Sequence, residues 1–240
     1  MDMESFFVLH RDLPREGPGE PQDVAWATEV AGTRGNCRVC DAGCGPGADT
    51  ETLAALLPEA RIDAFDLYPQ FVAAAAARCA RFGARVSARV GSMADLSGPY
   101  DLIWSAGAVY FLGVTEALAR WRPALAEGGR VAFSEPVLLD AAENNRAVRD
   151  FWADYPAITD RAGIEARIRA AGYRVLGGRL IVGAAWEAYY LPQEARIAGL
   201  RASAVPEALE PVLREAEAEI ANWRAAPDRI AYLLSVVAPA

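Results

Sequence analysis

The chain has 240 residues and carries 24 basic against 32 acidic side chains, for a net charge of −8. With 53% apolar and 23% charged residues it suits one full-sized globular domain, with at most a small accessory lobe. No run reaches the roughly 18 apolar residues of a membrane span, and no basic run tracks a phosphate backbone, so membrane and nucleic-acid partners are disfavoured.

Every basic residue is Arg, which removes any mechanism built on a Lys base or Schiff base. The start, Met1-Asp2-Met3-Glu4, lacks the basic-then-apolar order of a secretory signal, and the expected compartment is the cytoplasm. Cys37, Cys40 and Cys44 are closely spaced, but no second Cys/His pair follows at structural-zinc spacing, so no metal site is expected. Small buried thiols are the simpler reading for all four cysteines.

Residues 1–35 fit no strand. Their Pro/Gly-rich centre, Pro14 to Pro21, predicts a loop between two helices, an arm placed to cap a ligand. From residue 36 short β-rich runs alternate with longer helical ones, the pattern of a parallel sheet with helices on both faces. The first strand is expected at Arg38 to Ala42, a helix at Ala48 to Leu57, and the second strand at Arg61 to Asp66. A helix at Gln70 to Phe82, strands at Arg85 to Val90 and Tyr100 to Ser105, a helix at Thr115 to Trp121, and a strand at Arg130 to Glu135 follow. Residues 137–158 read as an inserted helix or lid, Asp160 to Ala171 as a helix capped by Thr159 or Asp160, and Tyr173 to Val182 as strand six. Helical material is expected over 192–225, broken near Pro206, before a last strand at Ile230 to Val237. The domain proper thus runs over 36–240.

The first strand ends at Asp41-Ala42, and Gly43, Gly45 and Gly47 follow before the helix. Glycines permit a tight turn and leave backbone N–H groups accessible at a helix N-terminus. The spacing alone also satisfies a dinucleotide fingerprint. Asp41, however, puts a carboxylate where such sites carry an apolar strand residue, and it can meet an ammonium group. Asp66 ends the second strand 19 residues after Gly47, where a carboxylate accepts hydrogen bonds from ribose hydroxyls of either cofactor type. After the third strand, Ser92 offers a hydrogen bond to an adenine edge and Met93 an apolar face.

These segments together resemble the class I S-adenosylmethionine-dependent methyltransferases. Val39 to Gly47 resembles the family's glycine motif, Asp66 its ribose-binding acid, and Gly91 to Leu96 its adenine loop, with Ser92 where many members have Asp. Asp101 to Tyr110 resembles the strand-four motif beside the methyl-transfer site, and Trp121 to Arg130 the helix and Gly-Gly turn before strand five. A narrower likeness, through Gly17 to Gly19, Ser134-Glu135, Phe151 to Pro156 and Ala185 to Tyr190, is to bacterial small-molecule methyltransferases of mostly unassigned substrate.

The resemblance implies a Rossmann-like α/β fold with a seven-stranded, mostly parallel sheet of order 3-2-1-4-5-7-6, strand seven antiparallel. It implies S-adenosyl-L-methionine as cofactor, leaving as S-adenosyl-L-homocysteine, held by Asp41, Gly43, Cys44, Gly45, Gly47, Asp66, Leu67, Ser92, Met93, Ser105 and Ala106. The catalytic candidates are Glu135 at the end of strand five, His10 in the N-terminal arm, Tyr110 and Tyr155, with Asp154 beside it. An imidazole ordinarily exchanges its proton near neutrality. Tyr110, Trp152, Tyr155, Trp186, Tyr189 and Tyr190 either hold a flat or cationic small molecule or close a hydrophobic seam. A monomer or homodimer without other partners is expected. Two rivals stay open: an NAD(P)-dependent oxidoreductase, which lacks the Lys of a Tyr/Lys pair here, and a non-catalytic nucleotide-binding protein.

Overall fold

A computed structural model describes residues 3–140, 143–202 and 204–240. The N-terminal arm contains helix α1 (Met3–His10) and helix α2 (Pro21–Ala31), joined by the expected loop. Strand β1 (Arg38–Ala42), helix α3 (Ala48–Leu56), strand β2 (Arg61–Asp66), helix α4 (Pro69–Cys79), strand β3 (Val86–Val90) and strand β4 (Tyr100–Ser105) follow. Next come helix α5 (Val114–Trp121), strand β5 (Leu125–Leu138), helix α6 (Arg146–Phe151), strand β6 (Thr159–Asp160) and helix α7 (Arg161–Ala170). Strand β7 (Tyr173–Ile181), helix α8 (Ala184–Arg201), helix α9 (Glu210–Ala225) and strand β8 (Ile230–Pro239) complete the chain.

The sheet order is β3-β2-β1-β4-β5-β8-β7, with β8 antiparallel to both neighbours. This is the expected order, the last two strands being β7 and β8. The two-residue β6 adds a parallel pairing to the end of β5 that the sequence pattern did not foretell.

Side chains alternate between the two layers, as strand pleating requires. Leu102 and Trp104 of β4 enter the core under α2, α3, α8 and α9, while Ile103 enters the core under α5 and α7. Gly113 and Asp160 mark helix starts: Asp160 accepts the Gly163 N–H at 2.9 Å, the capping role expected of it.

Most element ends coincide or shift by one to three residues, and two elements differ more from the sequence reading. Strand β5 begins five residues early and runs three residues late, because its ends pair with Tyr100 on one side and with Ile230 to Tyr232 on the other. Helix α8 begins at Ala184 and passes through Pro192, so residues 184–191 are helical despite the proline. A proline forfeits one helical hydrogen bond, which the burial of Trp186, Tyr190 and Ile197 on the same helix offsets. Within 137–158 the described residues form the end of β5 and α6, and α6 packs against α9; positions 141 and 142 lie outside the described residues, as does 203 within 192–225. Among the described residues no helix is long and apolar enough to cross a membrane.

Candidate functional site

The site is built on the turn between β1 and α3. Gly43, Gly45 and Gly47 have φ of 81°, 51° and 88°, the left-handed region that a side chain disfavours. A Cβ on Gly43 would come 2.7 Å from the Cβ of Ala108, and one on Gly47 2.8 Å from the Cα of Ala75. The glycines therefore serve the turn and its packing. The N–H groups are spent within the protein: Gly43 and Cys44 both donate to the Phe65 carbonyl at 2.9 Å, and Gly47 donates to Cys44 at 3.0 Å. Gly45 donates to the Asp66 carboxylate at 3.0 Å. The expectation that these amides stay open to a ligand is corrected, since the edge of β2 reaches them first.

Asp66 also accepts the Tyr68 N–H at 2.9 Å, and burial raises its pKa. Asp41 is fully buried, accepts the Thr50 hydroxyl at 2.5 Å, and is pushed up to about 8, chiefly by burial. Above this turn lies a cleft of about 450 Å³ at the carboxyl ends of β1, β2 and β4, the crevice where open α/β sheets bind ligands. Its floor includes Asp41, Gly43, Cys44, Gly45 and Asp66, and Leu67, Gly91 and Met93 also line it, the Met93 sulfur 3.8 Å from where a Cβ on Gly43 would stand. Ala106 to Ala108 form the wall after β4.

The N-terminal arm supplies the roof through Met3, Phe6, His10 and Arg15 to Pro18. Phe7 meets Tyr68 and Phe71 edge-on at 5.4 and 5.3 Å, so an aromatic cluster docks α1 on the start of α4. Arg15 donates to the Gly17 carbonyl at 2.6 Å, to the Gly19 carbonyl, and to Asp49 at 2.9 Å. Asp49 in turn accepts the Trp104 indole N–H at 3.2 Å. His10 stacks on Phe6 at 4.0 Å, and its Nδ1 lies 2.5 Å from the Glu16 carboxylate.

The rear of the cleft is aromatic. Tyr110, Phe111 and Tyr189 line it. Burial pushes the Tyr110 hydroxyl up to about 12, with help from Glu219 and Glu135. Tyr155 packs edge-on against Tyr110 at 5.7 Å and donates its hydroxyl to Glu135 at 2.5 Å. Glu135 is fully buried, with Arg167 at 3.7 Å from the bonded oxygen and its other oxygen without a partner, and burial pushes it up to about 7.

The structure brings Asp41, Gly43, Cys44, Gly45, Asp66, Leu67, Met93, Ala106, His10 and Tyr110 to one cleft. Others stand back from it. The Ser92 hydroxyl is turned to the Ala94 N–H at 3.0 Å, and Ser105 is buried with its hydroxyl on the Ala42 carbonyl at 2.7 Å. Gly47 lies beneath the turn against α4. Glu135 and Tyr155 form a layer behind Tyr110 and do not reach the wall, because Glu135 sits on the α7 face of β5. Trp152, Trp186 and Tyr190 pack among themselves and against Trp223 and Tyr232, so these three aromatics close the seam, while Tyr110 and Tyr189 face the cleft.

Glu16, Arg15 and Asp49 were missed. Their one signal was position: two lie in the Pro/Gly-rich loop and one in the first turn after the glycines, with no spacing to mark them. All four cysteines are free and buried, and no group of potential metal ligands exists among the described residues.

Comparison with known proteins agrees with this geometry. Residues 39–129 match a family described as a methyltransferase domain. Trans-aconitate 2-methyltransferase of Streptomyces avermitilis is 32% identical over 171 residues, covering 66% of this chain and 62% of that protein. The chain spans about six-tenths of the length of the curated relatives it first matches. Among solved structures, a SAM-dependent methyltransferase from Geobacter sulfurreducens in complex with S-adenosyl-L-homocysteine superposes with a TM-score of 0.85 at 18% identity, covering 99% of this chain and 98% of that one. The [4+2]-cyclase SpnF superposes with a TM-score of 0.76 at 16% identity, covering 99% and 94%.

The sheet order and the glycine turn define a Rossmann-like methyltransferase fold. Residues 39–129 are thus similar to a methyltransferase domain, and the chain as a whole has the fold of a SAM-dependent methyltransferase.

Proposed function

We propose that the chain transfers a methyl group from S-adenosylmethionine to a small-molecule acceptor. The observation that carries the cofactor choice is the glycine turn. A dinucleotide needs free N–H donors for its pyrophosphate. Here the amides of Gly43, Cys44, Gly45 and Gly47 are all taken by the protein. What the cleft offers instead is carboxylates and apolar faces, which suit a ligand with hydroxyls, an ammonium group and an adenine ring. The orphaned, buried Oε1 of Glu16 is one such acceptor.

In this reading Asp66 accepts the ribose hydroxyls, Leu67 and Met93 flank the adenine, and Asp41, Cys44 and Ala106 line the methionine end. When bound, the cofactor supplies an electrophilic methyl carbon on a sulfonium, whose departure needs no acid. The chain's task is to align the acceptor and exclude water. The N-terminal arm closes the roof over the cofactor, held by the Phe7 cluster and by Arg15 on Asp49. Tyr110 and Tyr189 present faces to the acceptor, and Glu135 with Tyr155 stiffens Tyr110 from behind. Where the acceptor must lose a proton, His10 is the group lining the cleft able to take it, since the Tyr110 hydroxyl stays protonated.

Trans-aconitate is the acceptor named for the curated relatives. A tricarboxylate calls for open cations. Among the described cleft residues Arg15 is the one guanidinium, and it is committed to two carbonyls and Asp49. The acceptor we propose is therefore flat or cationic and small. The SpnF likeness shows that this fold also houses another chemistry, so product mass is the necessary readout. Incubation with S-adenosylmethionine and a metabolite panel that includes trans-aconitate should give a product heavier by one methylene. Methylation of trans-aconitate alone would overturn the acceptor class, and absence of any product with bound cofactor would overturn the activity.

A further inference from the structure

The loop of the N-terminal arm carries a carboxylate with unfinished bonding. Glu16 lines the cleft, and its side chain lies over the glycine turn, 3.5 Å from where a Cβ on Gly45 would stand. His10 holds one carboxylate oxygen at 2.5 Å, and His10 is itself fixed by stacking on Phe6. The other oxygen, Oε1, is buried without a partner. A buried carboxylate oxygen without a donor is unfavourable, so the site is complete only when something brings one.

The neighbouring chain cannot supply that donor. Arg15 is the adjacent cation, and its guanidinium already serves Gly17, Gly19 and Asp49. The turn amide beneath Glu16, that of Gly45, is taken by Asp66. The donor comes from whatever fills the cleft, solvent in the free chain and ligand in the bound one.

We propose that Glu16 is a cofactor-binding residue, pairing with the ammonium at the amino-acid end of the S-adenosyl ligand. The inference rests on the cofactor reading above. Asp66, at the end of β2, takes the Gly45 amide and lines the cleft with Leu67; in the cofactor reading it serves the ribose. Glu16 shares the cleft with Arg15, Asp49 and Tyr189, and its charge acts on both the Tyr189 hydroxyl and Asp66. Of the ligand's donors, the ammonium is the one with charge opposite to a carboxylate. Asp41 is already bonded to Thr50. The arrangement also couples the arm to ligand binding, since α1 carries His10 and His10 orients Glu16.

The test is calorimetric, with two ligands that differ only in the amino-acid end: S-adenosylhomocysteine, which has it, and 5′-methylthioadenosine, which lacks it. For Glu16→Gln the affinity for S-adenosylhomocysteine should fall by about tenfold or more, the scale of a lost charge-assisted bond, while methylthioadenosine changes by less than about threefold. Glu16→Asp, which keeps the charge but retracts it, should give an intermediate loss. The melting temperature of the ligand-free Glu16→Gln chain should change little, because the amide keeps an oxygen for the His10 ring and replaces only the oxygen that has no donor. Unchanged affinity for both ligands, or an equal loss for both, overturns the proposal. If the unsubstituted chain binds neither ligand, the cofactor reading itself has failed, which is a different outcome.

Discussion

Replacing Glu135 with Gln should change how stability depends on pH. The carboxyl is fully buried, meets only the Tyr155 hydroxyl and a distant Arg167, and titrates near 7 instead of 4.5 because burial disfavours its charged form. Between about pH 4.5 and 7 the folded chain therefore holds a proton that the unfolded chain has released. Stability from this group is full below the unfolded value and declines as pH rises towards the folded one. At about 1.4 kcal/mol for each pH decade, the loss across that window is on the order of 3 kcal/mol. A Gln keeps an oxygen for the Tyr155 hydroxyl and carries no charge, so the variant lacks this decline. Melting temperatures of both chains should be compared at pH 5 and pH 8.5. The variant's advantage should grow by roughly 6–12 °C at the higher pH for a chain of this size. Asp41 declines in parallel in both chains and cancels in the difference. An advantage independent of pH would refute the claim that Glu135 is held neutral by burial.

Asp66→Ala should weaken S-adenosylhomocysteine binding by about 1–3 kcal/mol in calorimetry, because the proposed partner of the ribose hydroxyls, which also holds the Gly45 amide, is lost. Gly43→Ala should lower stability by about 1–3 kcal/mol, from left-handed strain and the 2.7 Å approach to Ala108, as read by denaturant unfolding. Tyr110→Ala should raise the acceptor KM by about tenfold while leaving S-adenosylhomocysteine affinity within about twofold, because Tyr110 belongs to the aromatic wall with Phe111 and Tyr189 that the proposal assigns to the acceptor. A matching loss of cofactor affinity would place Tyr110 elsewhere.

The parts of the fold that were legible in the sequence are those whose residues repeat a period. The runs Arg38 to Ala42, Arg61 to Asp66 and Tyr100 to Ser105 appear as strands over the same residues, since each is bounded by turn-forming residues and buried on both faces. The start of α8 was not legible. Trp186, Tyr189 and Tyr190 look like a rim motif in sequence, and Pro192 looks like a barrier, yet tertiary burial of the aromatic face overrides both. The position of the cleft was legible through Asp66 and the glycines because they sit at fixed distances from strand ends. Glu16 and Arg15 were not, because a loop has no period and their positions depend on α1 docking against Phe71 and Tyr68. Ser105 shows the converse: a hydroxyl at the right place in the motif is spent on the nearest backbone carbonyl.

The most direct test is a calorimetric titration of the unsubstituted chain with S-adenosylhomocysteine and, separately, with NAD. The spent amides of the glycine turn and the carboxylates around it predict saturable binding of S-adenosylhomocysteine at one site per chain and no measurable binding of NAD. Tight binding of NAD with none of S-adenosylhomocysteine would contradict the account.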